Sequence, residues 1–374
     1  MLVQLKKLLL GVLGLALCSG AWAEAWPPLR PPDPLPLDWV AKQVFVRFPE
    51  VHAKHRAYLA ALERVPKHAA GDLRTQVAQQ DAELARLQAI EHHLMLQWQA
   101  TQTFYDYALA EGHIALLEDY KRLVDAYVPA VNGRMSKSPA PRRDLALEAA
   151  RLHANFLKLL QDRSEATLRL NTLMEHRLDA LLPRPLLGAT SLLPADRDDL
   201  IKQALKNGMP MRMAEVDVKR SDAVMELAGS KRMPEPAIVG LSLLDRSLNA
   251  ATHEAARAQD QRRATGNKAV ASVIALHSGA RAKQEMLTLY EQDILPRAGQ
   301  LLRTALAEYQ GNRGDIFELL DAYRTRYTTE VEALQVRIDY EKTLADLTRE
   351  TGALPPYMEK KMSLKPLNVG GDSQ

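Results

Sequence analysis

From Asp72 to Val128 the chain runs without a single proline, and most of its residues are good helix formers. At ~1.5 Å per residue, a helix of that length spans about 85 Å. No compact globule of ordinary size houses such a rod, so the stretch predicts long helices packed side by side. Composition agrees. Aromatics make up only 5% of the 374 residues, too few for an ordinary mixed core, while Ala, Leu, Glu, Gln and Arg abound.

Breaks in the pattern divide the rest. Asp38 to Val65 reads as a first helical unit, and Asn132 to Pro141 as a turn. Asp144 to Leu181 reads as a second long helix closed by Pro183 and Pro185, with Gly112 as a bend in the first. Asp198 to Lys231 is a further unit interrupted near Gly208 and Pro210, and Pro234 to Leu244 has some β character. Helix then resumes to Ile294, with weak points at Gly266 and Gly279, and Pro296 breaks or kinks it. Gly311 to Gly314 is a tight turn before a last helix from Asp315 to about Thr351. On that helix Leu320, Tyr327 and Leu334 interleave with Val331, Ile338 and Ala345 at heptad spacing, a coiled-coil seam.

The two halves repeat one another. Each has a helix leading to a proline step, Phe48-Pro49 and Met209-Pro210, then a helix ending at Val65-Pro66 or Met233-Pro234. Each closes on a long helix starting with Asp, Asp144 or Asp315. The expected fold is all-α, with long antiparallel coiled-coil hairpins in two tandem pseudo-repeats and little or no β-structure. The expected division is 1–23 signal peptide, 24–37 proline-rich segment, 38–185 first repeat, 186–352 second repeat and 353–374 tail.

The signal assignment rests on Lys6 and Lys7, an apolar run from Leu8 to Leu17 and the small-x-small exit Ala21-Trp22-Ala23. Cleavage after Ala23 removes Cys18, the only cysteine, and lowers the formal charge from +3 to +1. Leu17 before Cys18 is bulky where a lipoprotein signal needs a small residue. A mature chain of this kind has no thiolate chemistry, no disulfide and no charge excess suited to nucleic acid. No HExxH, nucleophile elbow, P-loop or Rossmann glycine motif is present, so the chain is expected to be neither an enzyme nor a cofactor carrier.

Leu295-Pro296-Arg297-Ala298, then Tyr309-Gln310-Gly311, then Leu319-Leu320-Asp321-Ala322-Tyr323-Arg324 resemble the C-terminal signature of TolC-type outer-membrane efflux factors. Leu170-Asn171-Thr172-Leu173 resembles the ending of that family's first hairpin, and Phe48-Pro49 and Met209-Pro210 its paired helix starts. Leu243-Leu244-Asp245-Arg246 resembles a segment of the heavy-metal branch. The resemblance implies a homotrimeric tunnel crossing the periplasm, working with an inner-membrane pump and a periplasmic adaptor. The cargo it implies is heavy-metal cations, and the location is the outer membrane or periplasm. It further implies that Tyr309, Glu318 and Asp321 form a periplasmic gate and cation ring. The turns at Asn132, Gly133, Arg134 and at Gly311, Asn312, Arg313 would dock the adaptor. Ordinary surface acids and plain turn chemistry account for the same residues. One departure stands out. Neither 66–80 nor 236–244 offers the alternating strands a membrane barrel needs. The alternative is therefore a periplasmic accessory or scaffolding protein that has lost its barrel and is not itself a channel.

Met209, Met211 and Met213 alternate around Pro210. Thioethers suit Cu(I), and they equally suit packing at a helix start. His92 and His93 are adjacent, so on a helix their side chains diverge.

Overall fold

The computed structural model describes residues 30–66, 72–134, 140–194, 196–230 and 241–353. The expected signal peptide, Cys18, Pro234–Gly240 and the tail beyond Ala353 lie outside them. Nine helices account for nearly all of the described chain. They are α1 (Leu37–Arg47), α2 (Pro49–Glu63), α3 (Leu73–Arg134), α4 (Ala140–Leu173), α5 (Arg197–Asn207), α6 (Met209–Ser230), α7 (Leu241–Leu289), α8 (Leu295–Gln310) and α9 (Ile316–Thr351). A π-helical turn, Tyr290–Ile294, joins α7 to α8. The architecture is all-α, built of long antiparallel hairpins in two tandem halves.

α3 is one helix of 62 residues, roughly 93 Å at ~1.5 Å per residue. The helix runs through Gly112 without interruption. A β-carbon there would sit 2.7 Å from Cδ2 of Leu334 on α9, so glycine marks close approach of two helices. The α9 seam faces this contact: Ile338 is fully buried, and Leu320 and Tyr327 pack on the core cluster of the lower hairpins. Its members are half-buried otherwise, because α9 lies between two neighbours, α3 on one side and α7 with α8 on the other.

The halves match at their corners. Phe48 between α1 and α2 has φ −64 and ψ 121, and Gly208 between α5 and α6 has φ −54 and ψ 127. The equivalence is thus Phe48 with Gly208, which shifts the sequence pairing of the two prolines by one residue. At Gly208 a β-carbon would lie 2.3 Å from the carbonyl oxygen of Ala204. Each half also opens with an extended pair of residues, and these pair in parallel: β1 (Leu35–Pro36) with β2 (Pro185–Leu186). The strap between the halves is pinned to α9. Glu341 accepts from the Ser191 amide and hydroxyl at 2.8 Å each, and Tyr340 donates to the Ser191 carbonyl at 2.9 Å.

Several boundaries differ from expectation. α4 starts at Ala140, so Asp144 is inside the helix, and it ends at Leu173 rather than Leu181. The cause is Asn171, which is fully buried. Its amide nitrogen donates to the carbonyls of Leu178 at 3.3 Å and Ala180 at 2.8 Å. That folds the chain back, with Glu175 at φ 52. Asn132, Gly133 and Arg134, expected in a turn, form the last turn of α3. Propagating a long helix by one more turn costs little once it is nucleated. Their side chains are outside the described residues. Of the stretch expected to have some β character, the described residues Leu241 to Leu244 are helical, at the start of α7. Gly266 and Gly279 leave α7 unbroken. Pro296 does not end the helical run, which passes through it by way of a π turn. The π turn ahead of it absorbs the missing donor and ring clash. Only residues 64–72 separate α2 from α3, and only 231–240 separate α6 from α7.

Candidate functional site

The turn from α8 to α9 is closed by backbone chemistry. Asn312 takes φ 54, and the amides of Arg313 and Gly314 both donate to the Glu308 carbonyl, at 2.9 and 3.0 Å. Asp315 then caps α9. Its carboxylate accepts from the Phe317 amide at 3.5 Å, and the Glu318 carboxylate accepts from the Asp315 amide at 3.3 Å. This is a capping box. Gly311, Asn312 and Arg313 are exposed on the turn. Tyr309 is partly buried against the core of the lower hairpins.

Glu318 and Asp321 have different surroundings. Glu318 folds back onto the cap. Asp321 lines a cleft of about 270 Å³ with Tyr120, Val124, Glu148, Phe317, Leu320 and Arg324. Sequence reasoning missed this cleft and the polar chain beside it. Arg324 of α9 donates to the Glu148 carboxylate of α4. Tyr120 of α3 donates to the same carboxylate at 3.3 Å. The Tyr120 ring stacks on Tyr327, and the Tyr327 hydroxyl lies 2.9 Å from Nε2 of His113. Burial raises the pKa of the Tyr120 hydroxyl, and the Glu148 carboxylate adds to the effect. Burial also raises the Tyr327 hydroxyl and lowers the His113 imidazole, against an opposing pull from Asp162 and with a smaller push from Lys158. All three rings are thus held neutral, and together they stitch α3, α4 and α9 near the hairpin end. Tyr327 was legible only as a seam residue and Arg324 only as the end of the motif that starts at Leu319.

The methionines are split between two environments. Met209 and Met213 lie in a core cluster with Tyr58, Leu87, Ile90, Leu94 and Val216. Met211 turns to α7, its sulfur 3.7 Å from where a β-carbon on Gly266 would be. Residues two apart on a helix point in different directions, and here each sulfur serves packing. Among the described residues no group of three or more His, Cys, Asp or Glu is placed to hold a metal ion. His92 pairs with Glu50 at 3.1 Å. His93 meets the Ala89 carbonyl at 2.6 Å, and burial pushes its pKa down to about 4.

No family model matches the sequence, and no curated protein does either. Solved structures do. The outer-membrane channel OprN superposes with a TM-score of 0.74 at 14% identity, covering 84% of this chain and 89% of that one. The fold is that of an outer-membrane channel protomer. The CmeC outer-membrane channel of Campylobacter jejuni gives 0.72 at 8% identity, over 84% and 85% of the two chains. CusC, solved in a study of folding and transmembrane channel formation, gives 0.71 at 12% identity over 88% and 99%. At such identities the likeness concerns the fold. Among the described residues no helix is long and apolar enough to cross a membrane.

Proposed function

We propose that this chain is a TolC-family subunit of a tripartite efflux conduit. Three copies enclose a helical tunnel that engages a periplasmic adaptor and an inner-membrane pump. The observation that carries this reading is the pair of long hairpins, superposing on channel protomers over most of both chains. A 62-residue helix packed against α4 and α9 makes a stretch of wall. The exposed turn Gly311-Asn312-Arg313 is where the adaptor docks. Asp321, with Tyr309 and Glu318 nearby in the chain, supplies the acidic mouth of the tunnel. Heavy-metal cations are the cargo that such a mouth attracts.

The short connections favour one variant of this reading. A membrane-spanning β-strand needs about 9–11 residues, and a hairpin needs two strands. The nine residues between α2 and α3 and the ten between α6 and α7 hold one strand at most. The subunit then acts as a periplasmic component without its own barrel, accessory to a channel.

Fractionation separates the two. A membrane-inserted subunit stays in the outer-membrane pellet after osmotic shock, and a barrel-less one is released with the periplasm. The mouth is tested in reconstituted conduit by Glu318→Gln with Asp321→Asn. Reduced cation flux supports the acidic ring, and unchanged flux removes it.

A further inference from the structure

α9 ends on a Schellman-type cap. Gly352 takes φ 67, its amide donates to the Arg349 carbonyl at 3.1 Å, and the Ala353 amide donates to the Thr348 carbonyl at 3.3 Å. Such a cap turns the chain back over the last turn of its helix. The other side is closed, because a β-carbon on Gly352 would lie 2.3 Å from the Asn207 carbonyl oxygen at the corner between α5 and α6. Ala353 is exposed, and it lines one end of a groove of about 450 Å³.

The groove is bordered by α3, α9 and the strap that joins the halves. Its apolar and aromatic lining comes from Leu94 and Trp98 of α3, Leu344 and Leu347 of α9, and Leu192 of the strap. Leu192 is 86% exposed. Its neighbour Ser191 is held by Glu341 at 2.8 Å, so a pinned backbone presents this leucine at the groove while the described chain leaves it uncovered. At the far end the lining turns polar, where Tyr105 donates to Glu341 at 3.4 Å. Ala353 stands about 18 Å from Glu341 along the axis of α9, at ~1.5 Å per residue.

Beyond Ala353 the sequence reads Leu354-Pro355-Pro356-Tyr357-Met358 and then Glu359-Lys360-Lys361. Two adjacent prolines favour polyproline II, and at ~3.1 Å per residue five apolar residues span about 16 Å. That matches the apolar length of the groove, and the charged run begins where the lining turns polar. Proline-rich segments dock in aromatic-lined grooves because little entropy is lost in fixing them. Attachment at Ala353 adds a local concentration that no separate partner has. We propose that residues 354–358 lie in this groove of their own chain, running back along α9 from Ala353 to Tyr105 and clamping the strap onto α3 and α9. The clasp joins a helix of the first half to a helix of the second, and it stands independently of the conduit reading.

The test uses the full-length chain with Tyr357 replaced by photoreactive benzoylphenylalanine. Illumination is expected to give a product of single-chain mass, attached within 94–105, 191–194 or 341–348. A product of twice that mass, attachment elsewhere or no product overturns the docking. Hydrogen exchange reads the clamp. Leu354→Asp with Tyr357→Asp leaves every described residue in place and is expected to speed exchange of the Ser191 amide several-fold. Ala345→Arg, which fills the groove from α9, is expected to do the same, and the combined variant to exchange no faster than either alone. Unchanged exchange in the tail variant overturns the clamp, and additive effects overturn the shared groove.

Discussion

Tyr120 and Tyr327 lie face to face, their ring centroids 5.2 Å apart and their planes 12° from parallel, fastening α3 to α9 near the hairpin end. Offset aromatic pairs are worth about 0.5–1.5 kcal/mol beyond the area they bury. A double-mutant cycle with Tyr120→Leu and Tyr327→Leu is expected to return a coupling in that range by chemical denaturation. Additive single effects contradict the pairing.

Gly112 sets two effects against each other. Alanine in a helix interior gains about 1 kcal/mol over glycine. Here its β-carbon would meet Leu334 Cδ2 at 2.7 Å, and overpacking costs roughly 1–3 kcal/mol. Gly112→Ala is therefore expected to lower thermal stability in the native background. In a Leu334→Ala background the same change is expected to raise it. A gain in both backgrounds removes close approach as the reason for glycine.

Asn171 ends α4 by donating to two backbone carbonyls from a buried position. Asn171→Leu leaves both without that donor, at a cost of about 1–3 kcal/mol. Proteolysis should then cut first between Glu175 and Leu182, where the fold-back loosens. Unchanged stability and cleavage speak against this role.

His93 gives a pH dependence whose sign follows from its depressed native pKa of about 4. An unfolded histidine titrates near ~6.5. As pH falls through that value the unfolded chain binds a proton that the native state refuses. Stability is therefore complete above about pH 6.5 and is lost progressively down to about pH 4, by roughly 3 kcal/mol from this group. His93→Gln is expected to flatten the loss measured by urea denaturation between pH 7 and pH 4.5. An identical slope in the variant assigns the pH dependence elsewhere.

The parts of the fold that the sequence disclosed are those set by local chemistry. A proline-free run makes α3, a glycine-rich turn followed by Asp315 starts α9, and heptad spacing marks the face that α9 turns to α3. The hidden parts depend on residues distant in the chain. The end of α4 is set by a fold-back in which the Asn171 side chain donates to two backbone carbonyls, so helix-forming residues to Leu181 mislead. Gly112 reads as a bend until Leu334 is seen above it. The site divides the same way. The turn was legible and the capping role of Glu318 was not; Arg324 and Glu148 meet across 176 residues, and Tyr120 meets Tyr327 across two hairpins. No spacing rule finds such partners.

Central to the account is that one chain is only part of a wall. The native mass of the protein, measured by light scattering after gentle extraction, tests this most directly. Three times the mass of one chain is the result the account predicts. A stable single-chain species at working concentration, with α4 and α7–α8 exposed to solvent, contradicts it.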